Sequence, residues 1–260
     1  MTQPARFVPV LELPDDWSDA ITVVVLDAHP DDVAPGAARH VVGTLDGAAC
    51  WAVDLNGDGV PDVVVDGLVP LMGLHGRVDD VRWTLAGRAV QLVEWDRTTR
   101  FCGRCATPTE PAAADRARRC PACGLMAFPR LAPAVITLIE RDGEALLARG
   151  RAFPVPMYSC IAGFVEPGET MEQAVHREVG EEVGVTITDV RYVSSQPWPF
   201  PHSLMIGFEA TWAAGDIVID ETEIVDAQWF RADDLPMIPP GMSIARTLID
   251  RWTARQGAPL

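Results

Sequence analysis

The sequence predicts an α/β protein, and three observations carry that prediction. Short apolar runs of strand length alternate with segments of helical period. An Asp-Gly turn joins two apolar runs near the middle of the chain. A cysteine-rich stretch separates a first region from a second in which strands and helices intermingle. At 260 residues, 48% hydrophobic and 22% charged, the chain can bury a sizeable core, and its composition is that of a globular protein.

Residues 1–97 read as an α/β or strand-rich domain. VVVL at 23–26 and VVV at 63–65 are short apolar runs bounded by Gly, Asp and Pro, as buried strands are. LAGRAVQLVEWDR at 85–97 sets Leu85, Ala89, Leu92 and Val93 on one side of a helix. DLNGDGVPD at 54–62 resembles the opening of a calcium loop, but position twelve, which needs a bidentate Glu, is Val65. A turn between strands fits better. No internal repeat is present.

Residues 98–130 form the second domain. Cys102-x2-Cys105 and Cys120-x2-Cys123 are two pairs 14 residues apart, a spacing that converges four thiolates on one Zn²⁺. An all-sulfur set is closed, so this zinc is structural rather than catalytic. Cys50 and Cys160 have no partner pattern and read as buried small side chains. A zinc ribbon can also bind nucleic acid, and Arg116, Arg118 and Arg119 lend that some support; a solvated hairpin tip is the plainer reading.

Residues 131–260 form the third domain. AVITLIE, the turn at Asp142-Gly143 and ALLAR predict a hairpin. A helix follows near 170–183, with Thr170 and Gln173 as a capping box and Gly184 at its end. Strand-like segments lie near 186–194, 203–212 and 224–230, and a last helix fits 241–255. SQPWPFPHS at 195–203 has three prolines, which exclude helix interior and central strand, and is expected to be a stiff loop. Its Trp198 and Phe200 either cap a core or stack a flat ligand.

The formal net charge of -16 argues against broad electrostatic binding of nucleic acid and suits a protein that meets phosphates through metal ions. No apolar run reaches 18 residues and no basic-then-apolar leader opens the chain, so the expected location is cytoplasmic, where cysteines are thiols or ligands.

The helix near 170–183 carries the chemistry. Glu178 and Glu182 are four residues apart on one face, with Glu181 a turn from Glu178. Such carboxylates repel unless something cancels their charge. Arg177 can pair with Glu181 and reach back to Glu169. A divalent cation held by Glu178 and Glu182 would cancel the remainder, and oxygen ligands favour Mg²⁺ or Mn²⁺. The alternative is a solvated acidic helix surface.

The run Gly163, Glu169, Arg177-Glu178, Val179, Glu181-Glu182, Gly184 and Val185 resembles the Nudix box at every defined position. SQPWPFPHS, ten residues beyond it, and the four upstream cysteines resemble the NADH pyrophosphatase subfamily of Nudix hydrolases. The likeness covers roughly residues 98–255. It implies a Nudix α/β/α sandwich with a mixed sheet, preceded by a zinc ribbon and an N-terminal α/β domain. It implies hydrolysis of the pyrophosphate of NADH or NAD⁺ to nicotinamide mononucleotide and AMP, or the same cleavage at NAD caps on RNA 5′ ends. A non-enzymatic zinc-ribbon module is the rival from another class.

Carried over by position, the resemblance makes Glu178, Glu181 and Glu182 catalytic. It makes them metal ligands together with the Ala162 carbonyl and Glu223, for which Glu221 competes. Gly163, Glu169, Arg177 and Gly184 support the box. Substrate contacts fall to Phe128, Phe164, Gln196, Pro197, Trp198, Pro199, Phe200, Pro201, His202, Ser203 and Ala245, and more weakly to Asp115. Gln196 and Ser203 could supply polar contacts. A homodimer with sites built from both chains is implied as well.

Overall fold

The computed structural model describes residues 23–26, 37–45, 47–54, 71–153 and 155–257. The run at 63–65 and most of the 54–62 turn lie outside them. The chain divides into two compact units, residues 1–130 and 131–260. No helix among the described residues is long and apolar enough to cross a membrane.

In the first unit, β1 (Val23–Leu26), β2 (Arg39–Leu45) and β3 (Ala48–Asp54) form an antiparallel sheet in the order β1-β3-β2. After the short α1 (Leu71–Leu74), α2 (Asp80–Thr98) packs across this sheet. α2 is longer than the 85–97 expected. It begins where the Asp79 side chain accepts the Arg82 N–H, and it buries Trp83, Ala86, Val90 and Trp95 as well as the four predicted residues. The cysteine segment holds three two-residue strands, β4 (Glu110–Pro111), β5 (Arg118–Arg119) and β6 (Met126–Ala127), in sequential order.

The second unit is a six-stranded mixed sheet. Its strands are β7 (Ala132–Arg141), β8 (Glu144–Gly150), β9 (Ile161–Phe164), β10 (Thr186–Trp198), β11 (Ser203–Ala214) and β12 (Ile224–Arg231). The order is β10-β11-β7-β8-β12, with β9 also on β7. Only β11 and β7 run parallel. Asp142 and Gly143 both take positive φ, 49° and 85°, so the β7–β8 turn is the hairpin the sequence predicts.

Helices cover both faces. α3 (Met171–Val183) lays Ala174, Val175, Val179 and Val183 against Val135 and Ile139 of β7 and Leu146 of β8. α4 (Ile244–Arg255) lays Ile244, Ala245, Leu248, Ile249 and Trp252 against Ile136, Leu138, Ala145 and Leu147. β7 alternates between these two cores, which is why AVITLIE is apolar throughout rather than at every second residue. α4 starts at Ile244 rather than near 241, because the Ser243 side chain caps it by accepting from Arg246.

SQPWPFPHS requires a correction. Residues 195–198 are not loop: β10 continues to Trp198 and pairs with β11 up to Trp198↔Ser203. The loop is only Pro199–His202, and it contains the cis Phe200–Pro201 bond. β10 is the outermost strand of the sheet. An edge strand has one unpaired side, so Pro197 can sit in it without breaking a ladder bond.

Candidate active site and metal centres

The four ribbon cysteines converge. Cys102 and Cys123 sulfurs lie 3.6 Å apart, Cys105 and Cys120 3.5 Å, and Cys105 and Cys123 3.7 Å. A tetrahedral zinc with bonds of about 2.3 Å needs sulfurs about 3.8 Å apart, so the set fits the ion. Two equivalent turns build it. The Ala106 N–H donates to the Cys102 carbonyl and the Gly124 N–H to the Cys120 carbonyl, while Ala106 and Gly124 both take positive φ. These four thiols are placed to hold a metal ion; Cys50 and Cys160 are not part of that group, and both are buried.

The second centre grows from β9 and α3. The capping box is made as predicted: Thr170 Oγ1 accepts from the Gln173 N–H, and Gln173 Oε1 accepts from the Thr170 N–H. Gly184 ends the helix at φ 72°. A Cβ there would also lie 3.1 Å from the Val218 carbonyl oxygen. β9 sits beside α3, with Gly163 opposite Val135. The Glu178 carboxylate occupies the space a Gly163 Cβ would take, 1.9 Å from its carboxyl carbon. Only glycine admits that carboxylate.

Arg177 holds the acids in place. Its guanidinium donates to both Glu169 oxygens at 2.5 and 3.0 Å, to Glu178 at 2.8 Å, to Glu181 at 3.0 Å and to the Phe164 carbonyl at 2.8 Å. The Arg177 contact and the Glu166 N–H hold the Glu169 carboxyl down to about 2. The Glu169 and Glu181 pairings are those the sequence predicted; the one to Glu178 was not foreseen. Glu181 points largely to solvent, whereas Glu178 and Glu182 are buried.

Glu182 is the outlier. Burial, then Glu178, Glu223, Asp220 and Glu181, push its carboxyl up to about 8. Burial also raises Glu178, against the pull of Arg177. A comparison within the same unit shows what is missing. Glu209, equally buried, is paired with Arg255 at 2.9 Å and Arg251 at 3.5 Å. Glu182 has no cationic side chain beside it among the described residues. A buried acid cluster without a counter-charge fits a divalent cation with oxygen ligands.

The segment 215–223 completes this cluster. Its Val218 and Asp220 N–H groups donate to the Val183 and Glu182 carbonyls, 3.0 Å each, satisfying the last turn of α3. Arg151 fastens it through the Glu223 and Glu221 carbonyls. The charge of Glu223 acts on both Glu178 and Glu182; Glu221 is not among the main influences on either. Asp220, whose carboxylate accepts from the Thr222 N–H and hydroxyl, is a neighbour of Glu182 that sequence reasoning missed. The run DETE gave no basis for choosing among its three acids, Asp220, Glu221 and Glu223. Ala162 lies in β9 opposite Ile136, one residue before Gly163.

The remaining residues divide. Trp198 and Phe200 pack edge to face, 5.0 Å between ring centres, both half-buried, with Pro199 buried and Pro197 exposed. Pro201 and His202 complete the hairpin, whose His202 carbonyl accepts the Ala132 N–H. Ser203 is buried at the start of β11. Phe164 is 59% exposed beside the box. Phe128 and Asp115 are exposed on the first unit. Gln196, expected to offer a polar contact, has its amide occupied: Nε2 donates to the Met242 carbonyl and Oε1 accepts from the Ile244 N–H, both at 2.7 Å. It clasps the start of α4, where Ala245 is buried.

Comparison with known proteins gives the family. A NUDIX domain matches residues 129–252, an NADH pyrophosphatase zinc ribbon domain 97–128, and an NADH pyrophosphatase-like rudimentary NUDIX domain 10–95. The chain is 48% identical over 219 residues to the NAD-capped RNA hydrolase NudC of Deinococcus radiodurans, spanning 83% of this chain and 77% of that protein. It is 46% identical over 223 residues to NudC of Stutzerimonas stutzeri, spanning 85% and 80%. A solved NUDIX hydrolase from Nitrosomonas europaea shares the fold at a TM-score of 0.53 and 20% identity, over 62% of this chain and 95% of that one.

Proposed function

Because the chain belongs to the Nudix hydrolases of the NADH pyrophosphatase type, we propose that it cleaves the pyrophosphate of NADH or NAD⁺ to nicotinamide mononucleotide and AMP. The NudC relatives are named for NAD-capped RNA. That cap presents the same bond, so removal of NAD from RNA 5′ ends belongs to the same reading. The observation that carries it is the Glu178 carboxylate seated against Gly163 and braced by Arg177, next to a buried Glu182 that lacks a counter-charge.

Glu178, Glu182 and Glu223, with Glu181 and the Ala162 carbonyl, would hold Mg²⁺ or Mn²⁺. Such ions neutralise phosphate charge and lower the pKa of an attacking water. The chain's own residues set up the rest. Arg177 fixes the direction of Glu178 and keeps Glu169 ionised. The 215–223 segment brings Glu223 and Asp220 to Glu182. Phe164, Trp198 and Phe200 offer aromatic surface to the nicotinamide end, with Pro197, Pro199, Pro201, His202 and Ser203 shaping the rim; Phe128 and Ala245 are further contacts on this reading. Gln196 acts by positioning the start of α4. The zinc is structural. The domain limits at 97 and 130, a homodimer and a cytoplasmic location belong to the same proposal.

The test is Glu182→Gln. Circular dichroism should be unchanged, while Mg²⁺-dependent release of AMP from NADH falls by roughly two orders of magnitude or more. Equal turnover in variant and wild type would remove the box as the active site.

A further inference from the structure

We propose that the first zinc knuckle, through Arg100, Phe101 and Arg104, docks the phosphodiester chain of a single-stranded RNA. The proposal rests on the reading that NAD-capped RNA is a substrate, and it concerns the RNA body rather than the dinucleotide.

Charge distribution comes first. Residues 97–130 hold seven arginines against Glu110 and Asp115, a net of +5 in a chain whose total is -16. Four of these arginines are engaged within the fold, Arg97 through Asp54 at 3.9 Å. Arg118 binds Asp96 at 2.6 Å and the Thr109 hydroxyl and carbonyl. Arg116 donates to the Val41 carbonyl at 2.8 Å, and Arg119 faces Glu110 at 3.7 Å. The run that first hinted at nucleic acid is thus largely occupied.

Arg100 and Arg104 are different. Both are exposed, and neither forms an ion pair with any described residue. Between them Phe101 stands 66% exposed. Their backbone is fixed: the Arg100 carbonyl accepts the Thr109 N–H at 2.9 Å, Phe101 bridges Pro108, and the Arg104 N–H donates to Cys102 Sγ at 3.4 Å. Two guanidinium groups without an ion pair among the described residues, and an exposed aromatic, therefore sit on a turn fixed by these backbone contacts, which zinc on the four thiolates would brace further. Phosphates pair with the arginines and an unstacked base lies on the ring, the combination that binds single strands with little sequence preference. The remainder of the chain is strongly acidic, which disfavours a polyanion there.

The experiment compares NADH with an NAD-capped RNA of about ten nucleotides. The proteins are the wild type, Arg100→Gln/Arg104→Gln, Arg100→Lys/Arg104→Lys and Phe101→Ala, each with zinc content measured. Expected for the glutamine pair is unchanged kcat/KM on NADH and a fall of roughly tenfold on capped RNA. The slope of log kcat/KM against log salt on RNA should become shallower by about 1.4. The lysine pair should recover most of the loss, and Phe101→Ala should weaken RNA turnover alone. Equal loss on both substrates with zinc retained, or no loss on either, overturns the proposal. Wild-type turnover of NADH without turnover of capped RNA also overturns it and leaves the NAD(H) assignment standing. If neither is cleaved that assignment fails, and fluorescence binding of an uncapped 5′-phosphorylated RNA decides the docking surface alone.

Discussion

Two glycines and two buried glutamates define the site at the scale of single residues. Gly163 lacks a Cβ where Glu178 needs room, so Gly163→Ala must displace the carboxylate from a contact of 1.9 Å. The expected result is a folded protein whose AMP release drops by about a hundredfold, since misplacement of a reacting group by an ångström has that scale. A crystal structure or a melting curve showing an intact fold with wild-type turnover would contradict it. Glu182 adds a pH signature. Its folded pKa of about 8 exceeds the ordinary 4.5, so between these values the folded chain holds a proton the unfolded chain has lost. Stability from this group is full below 4.5 and is lost as pH rises through 8. Without divalent cation, the melting temperature should fall from about pH 5.5 to about pH 8.5 more steeply in wild type than in Glu182→Gln. Mg²⁺ should raise it more at the higher pH. Parallel curves for the two proteins would exclude Glu182 as the titrating group.

At the scale of elements, the site is a strand, a turn and a helix locked by short-range chemistry, which is why so much of it was legible. The capping box at Thr170, the αL glycine at 184 and the carboxylate spacing on α3 are all written within 22 residues of sequence. What was not legible depends on long-range pairing. The clasp from Gln196 to residues 242 and 244 joins segments 46 and 48 residues apart. The choice of Asp220 and Glu223 from DETE depends on the 215–223 segment closing onto the end of α3. The reading of SQPWPFPHS as loop failed because proline was weighed against a central strand, and only the sheet order reveals that β10 is an edge. The clasp carries its own prediction. Gln196→Ala removes two half-buried hydrogen bonds and should cost about 1–3 kcal/mol by urea denaturation. Because Gln196 positions rather than reacts, KM for NADH should rise with little change in kcat. A fall in kcat at constant KM would instead place Gln196 in the chemistry.

For the whole molecule, the decisive feature is that two candidate metal centres of opposite chemistry belong to separate compact units. The ribbon offers four sulfurs at tetrahedral spacing; the box offers only oxygens. Thiolate zinc binding in such small domains is worth roughly 10–16 kcal/mol and is folding energy for the segment that makes it. A carboxylate site for Mg²⁺ or Mn²⁺ keeps several waters and exchanges easily. The second unit also has its own cores on both faces of its sheet, built from β7, β8, α3 and α4 without any cysteine ligand. Brief treatment with a carboxylate chelator followed by desalting should therefore abolish AMP release while zinc stays near one per chain, and Mg²⁺ or Mn²⁺ alone should restore it. A thiol-directed mercurial should eject the zinc and disorder the ribbon while the far-ultraviolet signal of the mixed sheet persists. Zinc content falling in step with activity under the chelator, or recovery that requires zinc, would show that the two centres do not divide the labour in this way.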